Sequence, residues 1–447
     1  MPSVPLIEPD KGVVGPTSIA EKRKKAVRGA IFSEFIDMFD VYLPVVILAP
    51  MQSYFIPGGI SGEYKAILES LVFVTTLIGR PLGALLFGRI ADRYGRRSAS
   101  IISSSGFACV TMLIAFIPGY ASIGIASYWI LVTLRFVDGI FLGGGYTGAL
   151  PLAMEYTERS KRTLVGGIIL CGFPAAYVVI NIVAFVVFTL FPVRGEHATY
   201  TTWGWRIPFV IGAILSALLV LYYVHKVEES EVWSTTSSNE PRKTEIRSRF
   251  TTQAWKNLAQ VLLMMTGFWL AQYVLSLYLP ANILLKALHL SLPEMTQTLM
   301  FSYTSLCFGL LAVGALGRWF GRRTILATGA ALTSTIGAFL LYTLISAESM
   351  TFNWVVAVVC ALNVTVTSCW AALVAYINER FATGVRATGF GVGYSLSIII
   401  PSFYAFYLRG LSEIVTPSLA PVILLIIGGA IACVGALIGP ETRDVVL

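Results

Sequence analysis

The sequence predicts an all-α integral membrane protein in which twelve transmembrane helices form two six-helix halves. Three observations predict this fold. Of the 447 residues, 56% are hydrophobic and only 13% are charged, whereas a soluble domain carries about 25% charged residues. Apolar runs of ~20 residues, the length that crosses a bilayer, recur along the chain. A basic loop motif occurs twice at corresponding places, which indicates two related halves.

The repeat consists of two pairs of motifs. The segments Gly88–Arg97 and Gly314–Arg323 both end in Gly-Arg-Arg and lie 226 residues apart. A second repeat, at an offset of 224 residues, consists of charges spaced seven apart: Glu155 with Arg162, and Glu379 with Arg386. Because corresponding loops connect corresponding helices, these offsets assign roughly 220 residues, and hence six spans, to each half.

Twelve apolar runs fill the two halves. In the first half we expect spans at 29–51, 65–87, 98–118, 127–153, 164–191 and 205–224. In the second half we expect them at 258–284, 294–317, 324–345, 352–377, 385–408 and 419–438. These spans divide the chain into an N-terminal tail (1–26), a first bundle (27–225), a linker (226–256), a second bundle (257–438) and a C-terminal tail (439–447).

The basic residues lie mainly on one side of the predicted membrane. Of 32 Lys and Arg residues, 25 fall in or at the edges of the two tails and the even-numbered connections, and four fall on the opposite side or at its edge. Since basic loops remain in the cytoplasm, we expect a plasma-membrane protein with both termini cytoplasmic. The same distribution excludes a nucleic-acid-binding surface despite the net charge of +8, because such a surface needs a basic face outside the membrane.

Neither the cysteines nor the histidines form a catalytic or metal-binding pattern. All six cysteines fall in apolar spans without ligand spacing, which is typical of small core residues. His197, His225 and His289 lie in loops or at span ends. We therefore predict that the protein is not an enzyme and uses no cofactor and no metal.

Several motifs resemble those of a known family. Gly88–Arg97 is similar to the loop signature of the major facilitator superfamily, and the chain resembles its metabolite:proton symporters, the group of α-ketoglutarate, citrate, shikimate and proline/betaine carriers. The resemblance covers nearly the whole chain and rests also on Glu34 and Asp37; Arg80, Pro81 and Gly83; Arg135 and Gly139; Gly143, Gly144, Tyr146, Gly148 and Ala149; Trp205–Phe209; Glu228, Glu229 and Ser230; Arg386, Thr388 and Gly389; and Pro440, Glu441 and Thr442. It implies a secondary active transporter that performs proton-coupled symport of a small organic acid or zwitterionic metabolite by alternating access.

Three positions depart from the family pattern. Asp138 stands where the family usually has Gln, Gly145 stands where it usually has Glu, and Asp40 is an additional acid. These residues fall in the expected transport path, so the resemblance does not identify the substrate. A proton-driven exporter, a uniporter and a transporter-like sensor remain alternatives. The expected partners are a small-molecule substrate, protons and the lipid bilayer, with the chain functional as a monomer.

Four acids of the first half are candidates for proton coupling: Glu34, Asp37, Asp40 and Asp138. A charge at the bilayer centre costs at least ~2.5–3.5 kcal/mol on insertion scales, so such residues usually face a partner or a wet cavity and have a function. Glu34, Asp37 and Asp40 are spaced three apart, so adjacent members share a helix face. Carboxylates this close cannot all be ionised cheaply. The alternative is a static ion-pair network that holds the first and fourth helices together.

The second half offers neutral polar and aromatic groups where the first half has deep charges. We expect these groups to contact the substrate, together with one deep arginine of the first half. The predicted substrate-binding residues are Arg135, Gln272, Tyr273, Asn363 and Trp370. The planar guanidinium of Arg135 fits a substrate carboxylate bidentately. The alternative for Arg135 is that it only neutralises Asp138, three residues further along the same helix.

The repeated loop motif is a candidate gate rather than a substrate site. The resemblance implies a charge latch that holds the outward-open state and consists of Asp92, Arg96, Glu155 and Arg162. We assign two further residues to the gate: Arg93, from the same loop, and Arg80, which we expect near the cytoplasmic end of the second helix. In the second half Arg318 stands in the position of Asp92, so the corresponding latch is incomplete. The alternative is that these charges only keep the loop in the cytoplasm.

Overall fold

The computed structural model describes residues 16–48, 52–57, 62–191, 199–234, 251–346 and 350–447. Within these ranges the chain is helical and has no β-strand. Much of the predicted N-terminal tail and of the predicted linker lies outside the described residues. The proposed domain boundaries therefore stay predictions.

In the described ranges twelve long helices follow one another, in the number and order that the sequence predicts. Their bounds are α1 Pro16–Leu43, α2 Gly62–Tyr94, α3 Arg96–Ala115, α4 Ala126–Glu155, α5 Arg159–Leu190, α6 Tyr200–Lys226, α7 Thr252–Ala287, α8 Leu292–Leu316, α9 Arg322–Ser346, α10 Phe352–Glu379, α11 Thr383–Ser412 and α12 Ala420–Ile438. In the described part of the chain, the eleven from α2 to α12 are long and apolar enough to cross a membrane. Helix α1 differs because Glu34, Asp37 and Asp40 interrupt its apolar part.

Helix α2 is longer than predicted at its C-terminal end. The predicted span ends at Phe87, but the helix continues through the loop motif to Tyr94. Gly95 then turns the chain into α3 with φ 106°, a left-handed conformation that favours glycine. Arg80 therefore lies fourteen residues before the last residue of α2, which corresponds to about 21 Å along the helix axis.

Glycines allow α2 and α4 to pack with their backbones in contact. A Cβ atom on Gly83 would overlap the carbonyl oxygen of Ile140, and a Cβ atom on Gly143 would overlap the carbonyl oxygen of Arg80. Small residues at such positions are typical of helix pairs in membranes. This close approach positions Arg80 of α2 beside the charged residues of α4.

Helices α7 and α10, which carry predicted site residues, have irregular backbone part-way along their length. Helix α7 changes to π-helical geometry at Val274–Ala287, directly after Gln272 and Tyr273. Helix α10 contains a 3₁₀ segment at Ser368–Ala372, which carries Trp370. Such interruptions of an α-helix often mark a hinge or a functional site.

The two halves meet along α2 with α11 and along α5 with α8. Within the second of these pairs, the rings of Tyr177 and Tyr303 stack with centroids 4.0 Å apart. Tyr146 of α4 hydrogen-bonds Ser395 of α11. These contacts enclose the space between the halves on two sides.

Candidate transport site and gate

A cavity of about 350 Å³, including its space open to solvent, lies between the two halves. Residues from α1, α5, α7, α8, α10 and α11 line it, so both halves contribute. The lining consists of Glu34, Met38, Tyr42, Leu170, Phe173, Trp269, Gln272, Leu310, Thr367, Trp370 and Tyr394. A concave, mostly apolar site with a few polar groups is the usual form of a small-molecule site. We call it the central cavity.

Gln272 and Trp370 line the central cavity, as the sequence predicts for substrate-binding residues. Gln272 accepts a hydrogen bond from Thr367 Oγ1 (2.9 Å) through its Oε1. Its Nε2 and the indole Nε1 of Trp370 are both buried donors without an acceptor in the described residues. Buried donors of this kind are costly unless a partner satisfies them. Both N–H groups are therefore available to a ligand.

Asn363 and Tyr273 do not line the central cavity. Asn363 Nδ2 donates to Ser302 Oγ (2.9 Å), and Asn363 Oδ1 lies 3.2 Å from Thr367 Oγ1. The amide oxygens of Asn363 and Gln272 thus both face the single hydroxyl proton of Thr367, and the shorter contact is the one to Gln272. Tyr273 is buried and packs against Trp269, with ring centroids 5.8 Å apart. The prediction of direct substrate contact is not supported for these two residues, because the register of α7 and α10 turns them away from the cavity.

The acids of α1 take different positions. Glu34 lines the central cavity and is 2% exposed; it has no hydrogen bond or ion pair with any described residue. One turn further along, Asp37 Oδ1 accepts a hydrogen bond from Arg80 Nη2 at 2.6 Å. Asp37 Oδ2 is buried without a partner in the described chain. The cavity acid and the paired acid are thus adjacent on one helix.

Arg80 is a central residue and not a gate residue, which corrects the prediction from the sequence. Its side chain is 1% exposed, and its guanidinium lies 5.9 Å from the ring centroid of Tyr146. The error came from the length of α2, because the helix continues well past its predicted end. Arg80 therefore lies too deep to reach the end of the bundle.

A second ion-pair group joins α1 to α4. Arg135 Nη1 donates to Asp40 Oδ2 (2.7 Å) and to Asp138 Oδ2 (2.8 Å). All three side chains are buried, and none of them lines the central cavity. Of the two sequence-based hypotheses for Arg135, this geometry favours neutralisation of acids over a clamp for a substrate carboxylate. The predicted partnership of Arg135 and Asp138 is present, with Asp40 added.

The charges of these groups do not balance. Four buried carboxylates, those of Glu34, Asp37, Asp40 and Asp138, stand against two buried guanidiniums. If every group were ionised, the cluster would carry two uncompensated negative charges inside the membrane. Uncompensated buried charge is strongly unfavourable. Binding of protons or of a cation relieves that cost.

One end of the bundle carries the repeated basic loops, and we call it the basic end. There Asp92 accepts hydrogen bonds from the backbone N–H groups of Ala387 (3.2 Å) and Thr388 (3.0 Å). It also accepts from the hydroxyl of Thr388 and pairs with Arg96 Nη1 at 3.1 Å. The carboxylate thus caps the first turn of the α-helical part of α11, which begins at Arg386 and whose N–H groups favour an anion. Asp92 links the first half to the second.

Two acids at the basic end each join the two halves. Glu155 Oε1 accepts from Arg96 Nη2 (3.2 Å) of its own half and from Arg386 Nη1 (2.6 Å) of the other. Glu379 Oε1 accepts from Arg162 Nη1 (3.1 Å) of the other half. One of the four residues predicted for the latch is therefore wrong: Arg162 forms no ion pair or hydrogen bond with Asp92, Arg96 or Glu155 in the described structure. Arg386 pairs with Glu155 instead, because each of the two arginines binds the acid of the opposite half.

Arg322 of the second half corresponds to Arg96 and pairs with Glu379 (3.4 Å). Arg93, which the sequence-based prediction places in the gate, forms no ion pair between the halves in the described contacts. It is exposed, and its guanidinium lies 5.3 Å from the ring centroid of Tyr94. Arg318 stacks in the same way over Trp319 at 3.8 Å. Glu379 is thus paired with Arg322 of its own half and with Arg162 of the first half, and Arg318 stands where the first half has Asp92.

Two short motifs complete the basic end, and sequence reasoning did not assign them a role. Glu229 accepts from the backbone N–H groups of Arg96 (2.8 Å) and Arg97 (3.1 Å), and Ser230 donates to Glu155. In the second half, Glu441 accepts from the N–H groups of Arg322 (2.8 Å) and Arg323 (3.1 Å), and Thr442 donates to Glu379 (2.7 Å). The shared pattern of Glu followed by Ser or Thr, after the last helix of each half, was the available signal.

The two tails add further contacts at the basic end. Arg162 Nη1 donates to the carbonyl oxygen of Val445 (2.9 Å), so the C-terminal tail of the second half contacts the first half. Lys22, at the start of α1, lies 2.7 Å from Glu231 and 2.9 Å from Glu228. The hydrogen bonds that Lys22 donates to Glu231 and Glu228 raise its pKa, so this cation is present throughout the physiological pH range.

These features define a class of protein: two six-helix halves with a mostly apolar cavity between them and ion pairs that join the halves at one end. A family model described as Major Facilitator Superfamily matches residues 30–405. The chain belongs to this superfamily, and it is a membrane transporter. The resemblance inferred from its motifs is confirmed.

Relatives and solved structures agree with this assignment. The chain is 25% identical to the proline/betaine transporter of Salmonella typhimurium strain LT2 over 91% of this chain and 82% of that protein. It is 25% identical to the α-ketoglutarate permease of Escherichia coli strain K12 over 85% of each. The proton:xylose symporter XylE, solved with 6-bromo-6-deoxy-D-glucose, has the same fold with a TM-score of 0.76 at 16% identity, covering 95% of this chain and 98% of that one.

Proposed function

We propose that this transporter performs proton-coupled symport of a small organic acid or zwitterionic metabolite by alternating access. The observation that carries the proposal is the unbalanced buried charge in the first half, four carboxylates against two guanidiniums. A proton is the smallest counter-charge that removes this imbalance, and its binding and release change the charge of the cluster between conformations. The names of the relatives, a proline/betaine transporter and an α-ketoglutarate permease, support a small metabolite as substrate.

The adjacency of Glu34 and Asp37 supports coupling between substrate and proton. Glu34 faces the central cavity, and Asp37, one turn away, pairs with Arg80. Arg80 lies against the ring of Tyr146, whose hydroxyl bonds Ser395 of α11. A change of charge at Asp37 therefore alters a group that contacts the other half. Such a chain of contacts is a physical route by which protonation biases two arrangements of the halves.

The ion pairs at the basic end would act as the gate on one side of the cavity. In the present arrangement Asp92, Glu155 and Glu379 each bind groups of the opposite half. Opening of that end requires these contacts to break, and several charge-assisted hydrogen bonds together make the closed arrangement stable. Rocking of one half against the other would then expose the cavity alternately to each side. We further propose a monomer in the plasma membrane with both termini cytoplasmic.

The test is uptake into proteoliposomes. Purified protein is reconstituted, labelled candidate metabolites are supplied outside, and a pH gradient, acidic outside, is imposed. Accumulation of one metabolite above its external concentration, abolished by a protonophore, is the expected result. Accumulation that requires an acidic lumen instead would identify an exporter, and equilibration without accumulation would identify a uniporter.

A further inference from the structure

We propose that the central cavity binds a small zwitterion, with its cationic group beside Glu34 and the aromatic walls and its carboxylate on Gln272 and Trp370. The inference deepens the proposed function, on which it rests. It selects one of the two substrate classes that the sequence and the relatives leave open. It also assigns Glu34 to substrate recognition rather than to proton transfer.

The carboxylate end of the site is defined by two unused donors. Gln272 Nε2 and Trp370 Nε1 are buried, line the cavity and have no acceptor in the described residues. The contrast with Trp269 is informative, because its indole N–H donates to the carbonyl oxygen of Tyr394 at 3.2 Å. Of the two tryptophans in the wall, only Trp370 presents an open N–H in the described structure. Two neutral donors suit a single carboxylate and fix its orientation.

The amide of Gln272 is held in the orientation that this requires. The single hydroxyl proton of Thr367 lies between Gln272 Oε1 (2.9 Å) and Asn363 Oδ1 (3.2 Å), and the shorter distance assigns it to Gln272. Asn363 Nδ2 in turn donates to Ser302. The carbonyl is thereby occupied and the NH₂ group left for the ligand. A buried network that fixes a side chain from behind is typical of a binding site with defined polarity.

The cationic end is defined by Glu34 and by aromatic rings. Glu34 forms no ion pair or hydrogen bond with a described residue, and it lies in a wall that includes Tyr42, Phe173 and Trp269. Trp269 meets Trp370 at 5.0 Å and an interplanar angle of 87°. Aromatic faces attract an ammonium group, quaternary ammonium included, and the attraction is stronger where water is excluded.

The charge of the wall argues against an anionic substrate. Among the described lining residues there is one carboxylate and no Lys, Arg or His. Arg80 and Arg135, the deep arginines, are occupied by Asp37 and by Asp40 with Asp138. A dicarboxylate would bring two negative charges beside Glu34 without a cation to receive them. A zwitterion brings a cationic group for Glu34 and a carboxylate for the two open N–H donors.

Direct binding to the purified full-length protein tests the inference. The probes are N,N,N-trimethylglycine and proline as zwitterions, and 2-oxoglutarate as the dicarboxylate. We expect saturable binding of at least one zwitterion and none of the dicarboxylate. Trp370→Phe removes the open N–H and retains a ring, and Gln272→Leu removes the amide; each should weaken zwitterion binding about tenfold or more. Glu34→Gln should weaken it to a similar degree.

Matched controls lie on the same helices outside the cavity. Trp354→Phe on α10, Gln253→Leu on α7 and Glu21→Gln on α1 repeat the three substitutions at exposed positions and should leave binding unchanged. Binding of the dicarboxylate in preference, or of neither zwitterion, overturns the inference, as do cavity variants that bind like their controls. Proton-driven uptake of 2-oxoglutarate would also overturn the inference that the substrate is a zwitterion, but it would leave the proposed proton symport intact. Transport of a zwitterion without proton coupling would contradict only the proposed function.

Discussion

Asp92 of the first half accepts hydrogen bonds from both the backbone N–H (3.0 Å) and the hydroxyl (2.7 Å) of Thr388 in the second half. This is helix capping by a residue almost 300 positions away in the sequence. The same carboxylate pairs with Arg96, which also reaches Glu155. Asp92 therefore connects the helix of the opposite half to the ion pairs of its own.

Replacement of Asp92 should open the basic end. Asp92→Asn keeps the shape of the side chain and removes its charge. Hydrogen bonds to charged groups contribute about 1.5–3 kcal/mol. We therefore expect the conformational equilibrium to shift roughly tenfold or more towards inward-open states, with substrate binding retained. Distances between spin labels on α2 and α11 would measure the shift. Arg93→Gln, at the neighbouring position of α2, is the control, since Arg93 is exposed. Unchanged distances and full transport in Asp92→Asn would contradict a gating role and would favour the alternative that this charge only helps to keep the segment in the cytoplasm.

The pair of Glu155 and Arg386 should behave as a coupled unit. Removal of one member leaves the other buried and unpaired, which typically costs 3–5 kcal/mol, so Arg386→Gln and Glu155→Gln should each lower the thermal unfolding temperature in detergent. The double variant should lose less than the sum of the two single losses. Strict additivity in that cycle would argue against a direct interaction across the halves.

The contact between α2 and α4 predicts a difference between two glycines. Gly83→Ala places a methyl group onto the carbonyl oxygen of Ile140, so the helices must separate, and we expect a loss of stability of about 2 kcal/mol or more. Gly145→Ala is the control, because its nearest neighbour is Ser33 Oγ at 3.6 Å. Thermal unfolding of the two variants measures the difference. Equal tolerance of both would contradict the described packing of these helices.

The charge bias predicts that the basic end is cytoplasmic. A single cysteine at position 237, replacing Ser237 in the predicted linker, should react with a membrane-impermeant thiol reagent only after cells are opened. Ser237 lies outside the described residues, so this prediction depends on the sequence alone. The same labelling carried out with a cysteine-free background provides the control. Reaction in intact cells would overturn the orientation.

The sequence predicts the fold well because the relevant signals are local. Apolar length determines each span, and the offset between Gly88–Arg97 and Gly314–Arg323 reveals the two halves. The pairing of Arg135 with Asp138 is equally local, since three residues on a helix bring two side chains together. Such features need no knowledge of how distant helices meet.

The partners across the halves could not be predicted in the same way. Arg162 and Arg386 each follow an acid by seven residues, yet each pairs with the acid of the other half. Sequence spacing gives no information on that exchange, because it depends on how the halves face one another. Tyr273 could not be placed for a related reason: one residue along a helix is a rotation of about 100°, so Gln272 lines the cavity while Tyr273 packs against Trp269, and the sequence does not indicate which face of α7 meets the cavity.

Asp37 is the acid that we expect to carry the proton. Asp37→Asn retains the shape of the side chain and removes its titratable proton, so it should abolish accumulation driven by a pH gradient while retaining substrate binding and counterflow exchange. Asp40→Asn and Asp138→Asn test the second ion-pair group in the same assay. Normal pH-driven accumulation in Asp37→Asn would move the proton site to another acid, and normal accumulation in all three would exclude this cluster.

Proton movement during transport tests the central claim most directly. Proteoliposomes that contain a pH-sensitive dye are given an inward gradient of the substrate identified by uptake, with equal pH on both sides and the membrane potential clamped. We predict that the lumen acidifies as the substrate enters, and that Asp37→Asn exchanges substrate without acidification. Entry of substrate into wild-type vesicles with no change in luminal pH would contradict proton-coupled symport.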